Sequence, residues 1–272
     1  MQQFSLSPRE MLASAWRHRN LIGAMVKREV AGRYRGSVLG MLWSLFNPIL
    51  MLVIYTFVFS VVFKARWSVG SESKTEFALM LFAGLMIFNL FAECINRAPG
   101  LIIGNVNYVK KVVFPLEILP WVALGSALFH FLVSLGVWLI ACLILFGKVE
   151  ATALLLPLIL LPLLLFVLGL TWLLASLGVY LRDVGQIIGV LTSVLMFMSP
   201  IFYPLSALPE QYRGLLEGNP LTPAVEGARA VLFLGRLPDW PQLGLYCLVA
   251  AFICWAGFAW FQKTRKGFAD VL

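Results

Sequence analysis

Six apolar runs, divided by short charged or proline-rich stretches, leave this chain few folds to adopt. They cover about 41–63, 77–96, 117–146, 153–178, 185–203 and 242–261. A helix needs about 20 mostly apolar residues to cross the hydrocarbon core of a bilayer. The third run is long enough to tilt or to include an interfacial turn. Of the 272 residues, 61% are hydrophobic and only 12% charged. A soluble domain carries about a quarter charged residues. The reading is therefore an all-α integral membrane protein with six transmembrane helices. No internal repeat or low-complexity linker divides it. No cleavable signal peptide is expected, because the first 37 residues are basic and amphipathic rather than apolar.

The first run is fused to a basic arm, KREVAGRYRGSVLGMLWSLFNP (27–48), in which Lys27, Arg28, Arg33 and Arg35 fall within nine residues. A basic, amphipathic segment joined to a spanning helix belongs at anionic headgroups, on the cytoplasmic side. Ser7, Pro8 and Glu10 have the spacing of a helix cap, a first-turn proline and a capping-box partner. A second short helix is expected over about 20–34. Ile22, Val26, Val30 and Tyr34 make one stripe on it, and Arg28 and Arg35 share another face. An interfacial helix is favoured over a solvated arm, because the stripe runs straight into the first span. Two regions follow: a cytoplasmic amphipathic arm, 1–40, and a transmembrane domain, 41–272.

Lys and Arg set the orientation. With the N-terminus inside, the cytoplasmic segments hold 14 basic residues and the outer ones 7, balanced there by 7 acids. The bias places both termini in the cytoplasm. The net charge of +8 flanks spans instead of covering a soluble surface, which argues against nucleic acid as a partner.

Residues 147–150 leave room only for a tight hairpin, and Pro157 and Pro162 are expected to kink the fourth span. Between 204 and 240 stand five prolines and an apolar piece, 221–234, too short to cross. Short re-entrant or interfacial helices are expected there, over about 205–238. Cys94, Cys142, Cys247 and Cys254 fall in predicted spans without a CxxC pair and read as small packing residues. His18 and His130 are too few and too far apart for a metal site.

The chain has no GxxxxGK[ST] loop and no GxGxxG after a strand, so no nucleotide machinery of those kinds is expected. No Ser-His-Asp set or carboxylate pair suggests an enzyme. Glu93 and Arg97 are spaced to pair locally, Glu117 opens the third span, and His130 reads as a neutral imidazole against a neighbouring helix. Intramembrane charge marks coupled carriers. That layer is nearly empty here, so the driving energy is expected from outside the chain. Two inner loops are built for contact: Asn107-Tyr108-Val109-Lys110-Lys111-Val112-Val113-Phe114-Pro115 and Tyr180-Leu181-Arg182-Asp183-Val184. Lysines alone would anchor the first loop, but its length, Tyr108 and Phe114 favour docking of a partner.

RGSVLGMLWSLFNP (35–48), NYVKKVVFPLEILP (107–120), YLRDV (180–184) and SPIFYP (199–204) followed by NPLTP (219–223) together resemble the permease subunit of ABC-2-type polysaccharide exporters. These include O-antigen, capsule and teichoic-acid permeases. Leu116 stands where that pattern often carries a basic residue. The resemblance implies a homodimer in the bacterial inner membrane, joined by two copies of an ABC ATPase that carry the ATP and Mg, with no cofactor on this chain. It implies a coupling helix around Asn107, Tyr108, Lys110 and Lys111, and a second ATPase contact at Arg182 and Asp183. Segment 208–235 would form the re-entrant helices at the outer end. The cargo implied is a glycan on a polyprenyl diphosphate. Lys27, Arg28, Arg33 and Arg35 are then candidate contacts for its anionic headgroup. Trp43, Tyr55, Phe59 and Phe63 are candidates for an aromatic path, and the reading of those rings as lipid-facing or packing side chains stays open. The alternatives are an ABC-2 exporter of teichoic acid, lipid or drug, a secondary carrier or channel, and a membrane enzyme acting on lipid.

Overall fold

The computed structural model describes residues 5–62, 74–110, 114–205 and 209–272, and these contain helices and turns without a strand. Among the described residues, five helical stretches are long and apolar enough to cross a membrane: Leu42–Phe59, Thr75–Gly100, Leu116–Phe146, Ala151–Tyr180 and Trp240–Val271. A sixth apolar helix, Val184–Met198, has 15 residues. At 1.5 Å per residue it falls short of the roughly 30 Å hydrocarbon layer. The expected run to 203 stops early because Ser199, before Pro200, takes extended backbone (φ −97°, ψ 149°).

The arm is two helices, α1 (Pro8–Arg17) and α2 (Arg19–Arg33). The Ser7 hydroxyl accepts from the Arg9 amide at 3.2 Å, and Pro8 opens the first turn. The capping box does not close, however. Glu10 instead pairs with Arg17, two turns along the same face, at 3.2 Å. On α2, Met25 and Val30 are buried, and Ile22 and Val26 are partly so. That stripe lies on α6 (Leu119–Phe146), so protein covers it. Arg35 does not share a face with Arg28, because α2 ends at Arg33 and Arg35 enters a turn at Gly36 (φ 86°).

Helix α3 (Leu42–Tyr55) carries Pro48 in its interior and passes into a wide π-helical segment, Thr56–Val62. Pro48 removes the donor that would bond the Ser44 carbonyl. Helix α4 (Lys74–Arg97) is the central one, with Ala78 to Leu81 fully buried. It is apolar almost all round, as a helix surrounded by others must be. The short α5 (Val106–Lys110) follows, then α6 and α7 (Leu156–Tyr180). Pro157 sits in the first turn of α7 and starts the helix, where a kink was expected; Pro162 lies inside it.

Lipid tails are as apolar as side chains, so helices in a bilayer gain from close backbone approach and interhelical hydrogen bonds. Helices α7 and α11 (Trp240–Thr264) meet at Gly169 and Gly257. A Cβ on Gly257 would sit 2.0 Å from the Gly169 carbonyl oxygen. Before α11 come α9 (Glu210–Glu217) and α10 (Thr222–Leu232), the short helices expected there. Arg229 on α10 is buried. It donates to the Met80 carbonyl at 2.9 Å, to the Ile201 carbonyl at 2.7 Å and to the Pro200 carbonyl. Glu226 lies 3.0 Å from it. One guanidinium thus binds α10 to the central helix and to the turn after α8 (Val184–Met198).

The two ends of the chain meet at one end of the bundle. Glu117 accepts from Ser14 of α1 at 3.1 Å and from Arg265 at 2.6 Å. The Glu117 carbonyl accepts from the Trp172 indole at 3.1 Å. Glu117 thus ties α1 and the C-terminal segment to the start of α6. Cys94, Cys142 and Cys254 are buried and unbridged.

Candidate functional site

A cleft of about 900 Å³ opens between the end of the arm, α3, α4 and α6. Along α4 it runs from Met86 to Arg97, about three turns. The wall from α4 is a polar stripe, Asn89, Glu93, Asn96 and Arg97, at helical spacing. In a helix that is otherwise buried, Asn89 and Asn96 are the exposed positions over 78–96. The wall from α3 carries Trp43, Ser44, Asn47 and Tyr55 beside the Pro48 break. His130 and Ser134 face them from α6.

Charge gathers at the mouth. Arg33, the last residue of α2, places Nη1 2.6 Å from Glu93 Oε1. His130 Nδ1 lies 3.1 Å from both Glu93 oxygens, and Nε2 lies 3.2 Å from the Tyr34 hydroxyl. The consistent tautomer donates from Nδ1 to the carboxylate and accepts at Nε2 from Tyr34. Burial raises the Tyr34 phenol above its ordinary pKa, so it keeps the proton it donates. Arg97 is held by Glu29 of α2 at 2.6 Å and stands 3.9 Å from Glu93. The local pair expected between Glu93 and Arg97 is therefore the longer contact. Each residue's short partner comes from the arm, which a reading of α4 alone could not supply. His130 is likewise no isolated imidazole, since it joins a carboxylate to a phenol.

The predicted headgroup cations separate. Arg33 lines the cleft. Lys27 and Arg28 are exposed on the other face of α2, where Arg28 donates to the Tyr108 hydroxyl at 3.0 Å. Arg35 is exposed in the turn beyond α2. Of the predicted aromatic path, Trp43 and Tyr55 line the cleft. Phe59 lies beyond it, stacked between Phe77 at 5.4 Å and Phe202 at 6.4 Å between ring centres, a packing role. Phe63 lies outside the described residues.

The two predicted contact loops come to one end of the bundle. On α5, Asn107 and Lys110 point outward, while Tyr108 turns in and stacks on Phe114 with ring centres 4.3 Å apart. Lys111 lies outside the described residues. Arg182 and Asp183 are exposed in the turn between α7 and α8. The C-terminal helix α12 (Phe268–Val271) touches both α5 and α7, and Tyr180 donates to the Thr264 carbonyl at 2.9 Å. Among the described residues no three His, Cys, Asp or Glu side chains gather as metal ligands would.

Residues 20–233 match the ABC-2 type transporter family, well over half of the chain. The chain belongs to the ABC-2 type transporter family. An O-antigen export system permease protein of Myxococcus xanthus, RfbA, is 29% identical over 262 residues, covering 96% of this chain and 98% of that one. A Klebsiella pneumoniae protein of the same name is 26% identical, covering 93% and 95%. The polysialic acid transport protein KpsM of Escherichia coli is 27% identical, covering 90% and 93%. In this ABC-2 chain the match takes in α2, the cleft, both predicted contact loops and α10. The residues that sequence reasoning passed over are Asn47, Asn89, Asn96, Ser44 and Ser134. The signal was present on α4, where polar residues recur at 89, 93 and 96 in an apolar run.

Proposed function

We propose that this chain is the membrane-spanning subunit of an ATP-driven exporter that carries a polyprenyl-diphosphate-linked polysaccharide out of the cytoplasm. Family membership and relatives named for O-antigen and polysialic acid export support polysaccharide as the cargo. They weigh against teichoic acid, lipid or drug. One observation carries the reading: the central helix, buried elsewhere, turns Asn89 and Asn96 into a cleft with Trp43 and Tyr55. Carboxamides and hydroxyls match sugar hydroxyls, and flat rings match the apolar faces of pyranoses.

In this reading two copies of the chain associate in the bacterial inner membrane, each with an ATPase subunit that binds ATP and Mg. The outward side chains of α5, with Arg182 and Asp183, form the seat of the ATPase. Both chain ends then lie in the cytoplasm, in keeping with the excess of basic residues there. Helices α9 and α10 form the outer end. The arm, 1–40, lies along the inner leaflet and presents its cations to anionic headgroups, with Arg33 nearest the path.

The test is export. Asn89→Leu and Asn96→Leu remove one hydrogen-bonding group each and keep side-chain bulk. Each is expected to lower cell-surface polysaccharide about fivefold, as loss of about 1 kcal/mol of cargo contact would, with normal amounts of permease in the membrane. Undiminished surface polysaccharide in the double variant would reject the cleft as part of the path.

A further inference from the structure

Arg33 donates to Glu93 through a single nitrogen, Nη1, at 2.6 Å. Its side chain is 52% exposed, whereas Glu93 is 16% exposed. A guanidinium used at one corner has a fork left to offer, and a diphosphate supplies several oxygens and more charge than a carboxylate. Glu93 also has two further cationic or donating neighbours, His130 Nδ1 at 3.1 Å and Arg97 at 3.9 Å. If Arg33 leaves, the carboxylate is not stranded. The usual penalty for breaking a half-buried pair, an uncompensated charge, is therefore small here. Arg97 stays with Glu29 as well.

From this geometry we infer that Glu93 is a placeholder anion: it holds Arg33 while the cleft is empty, and the diphosphate of the cargo takes the Arg33 side chain over, while the Glu29–Arg97 pair keeps α2 on α4. The inference rests on the cargo assigned under Proposed function. It adds that the arm senses the cargo by anion exchange. The prediction is opposite in sign to a structural ion pair, because removing the acid improves binding.

Binding of a polyprenyl diphosphate to the full chain in zwitterionic nanodiscs tests it, with inorganic pyrophosphate and phosphatidylglycerol as competitors. Glu93→Gln is expected to bind about threefold tighter, the equivalent of one exposed ion pair, and Arg33→Gln more weakly. The double variant should match Arg33→Gln. Arg33→Lys, which leaves Glu93 in place, keeps the charge but loses the fork and should also bind more weakly. Pyrophosphate should compete and phosphatidylglycerol should not. Unchanged or weaker binding by Glu93→Gln, or a gain that survives in the double variant, would overturn the exchange, as would full affinity in Arg33→Lys or equal competition by phosphatidylglycerol. Should the wild-type chain bind the diphosphate without this pattern, the exchange fails and the export reading stands. Should it not bind at all, both fail.

Discussion

Arg229 shows how one side chain fixes the geometry of a region rich in prolines. Its guanidinium reaches three carbonyls on two segments, that of Met80 on α4 and those of Pro200 and Ile201 in the turn after α8. Gly84 makes the space for it, since a Cβ there would lie 2.6 Å from Arg229 Nη2. A flexible side chain could normally swing aside, but this one is tied by three carbonyls. Arg229→Met is expected to destabilise the folded permease by about 3 kcal/mol, because buried acceptors lose their donor. Gly84→Leu should have an effect of similar sign and size through the same contact. Thermal unfolding in detergent monitored by tryptophan fluorescence checks both. If the two variants together lose the sum of the separate effects, the contact between the sites is refuted, since residues that share an interaction do not add.

At the scale of helices, the spans, the arm helices and the short pre-terminal helices were legible because length and apolar period carry them. What stayed hidden was who faces whom. The stripe on α2 reads the same whether lipid or α6 covers it. Glu93 and Arg97 look like partners on one helix until Arg33 and Glu29 arrive from another. Gly169 and Gly257 lie 88 positions apart in the chain and announce nothing singly. Their meeting gives a direct prediction: Gly257→Val drives a side chain into the Gly169 backbone, which cannot yield as a side chain can. It should cost about 3 kcal/mol and lower the yield of folded protein, whereas Gly244→Val, with open space around it on the same helix, should be near neutral. Size-exclusion profiles of the two variants separate these outcomes.

Considered whole, the molecule divides two tasks under the proposed function. One end gathers both chain ends, α5 and the exposed turn at Arg182 and Asp183, and suits an attached motor. The cleft runs from beside that end along α4 and suits a polar cargo. Reversing charge at Lys110 and Arg182 together is expected to weaken co-purification of the ATPase subunit about tenfold, through lost electrostatic complementarity, without changing the amount of permease. Unaltered co-purification would move the seat elsewhere. The most direct test of the division of labour is translocation of a polyprenyl-diphosphate-linked glycan in proteoliposomes. With permease alone, no nucleotide should be hydrolysed and no glycan should cross, even under an imposed ion gradient, and both activities should appear when the ATPase subunit and ATP are supplied. Hydrolysis or gradient-driven transport by the permease alone would contradict the account.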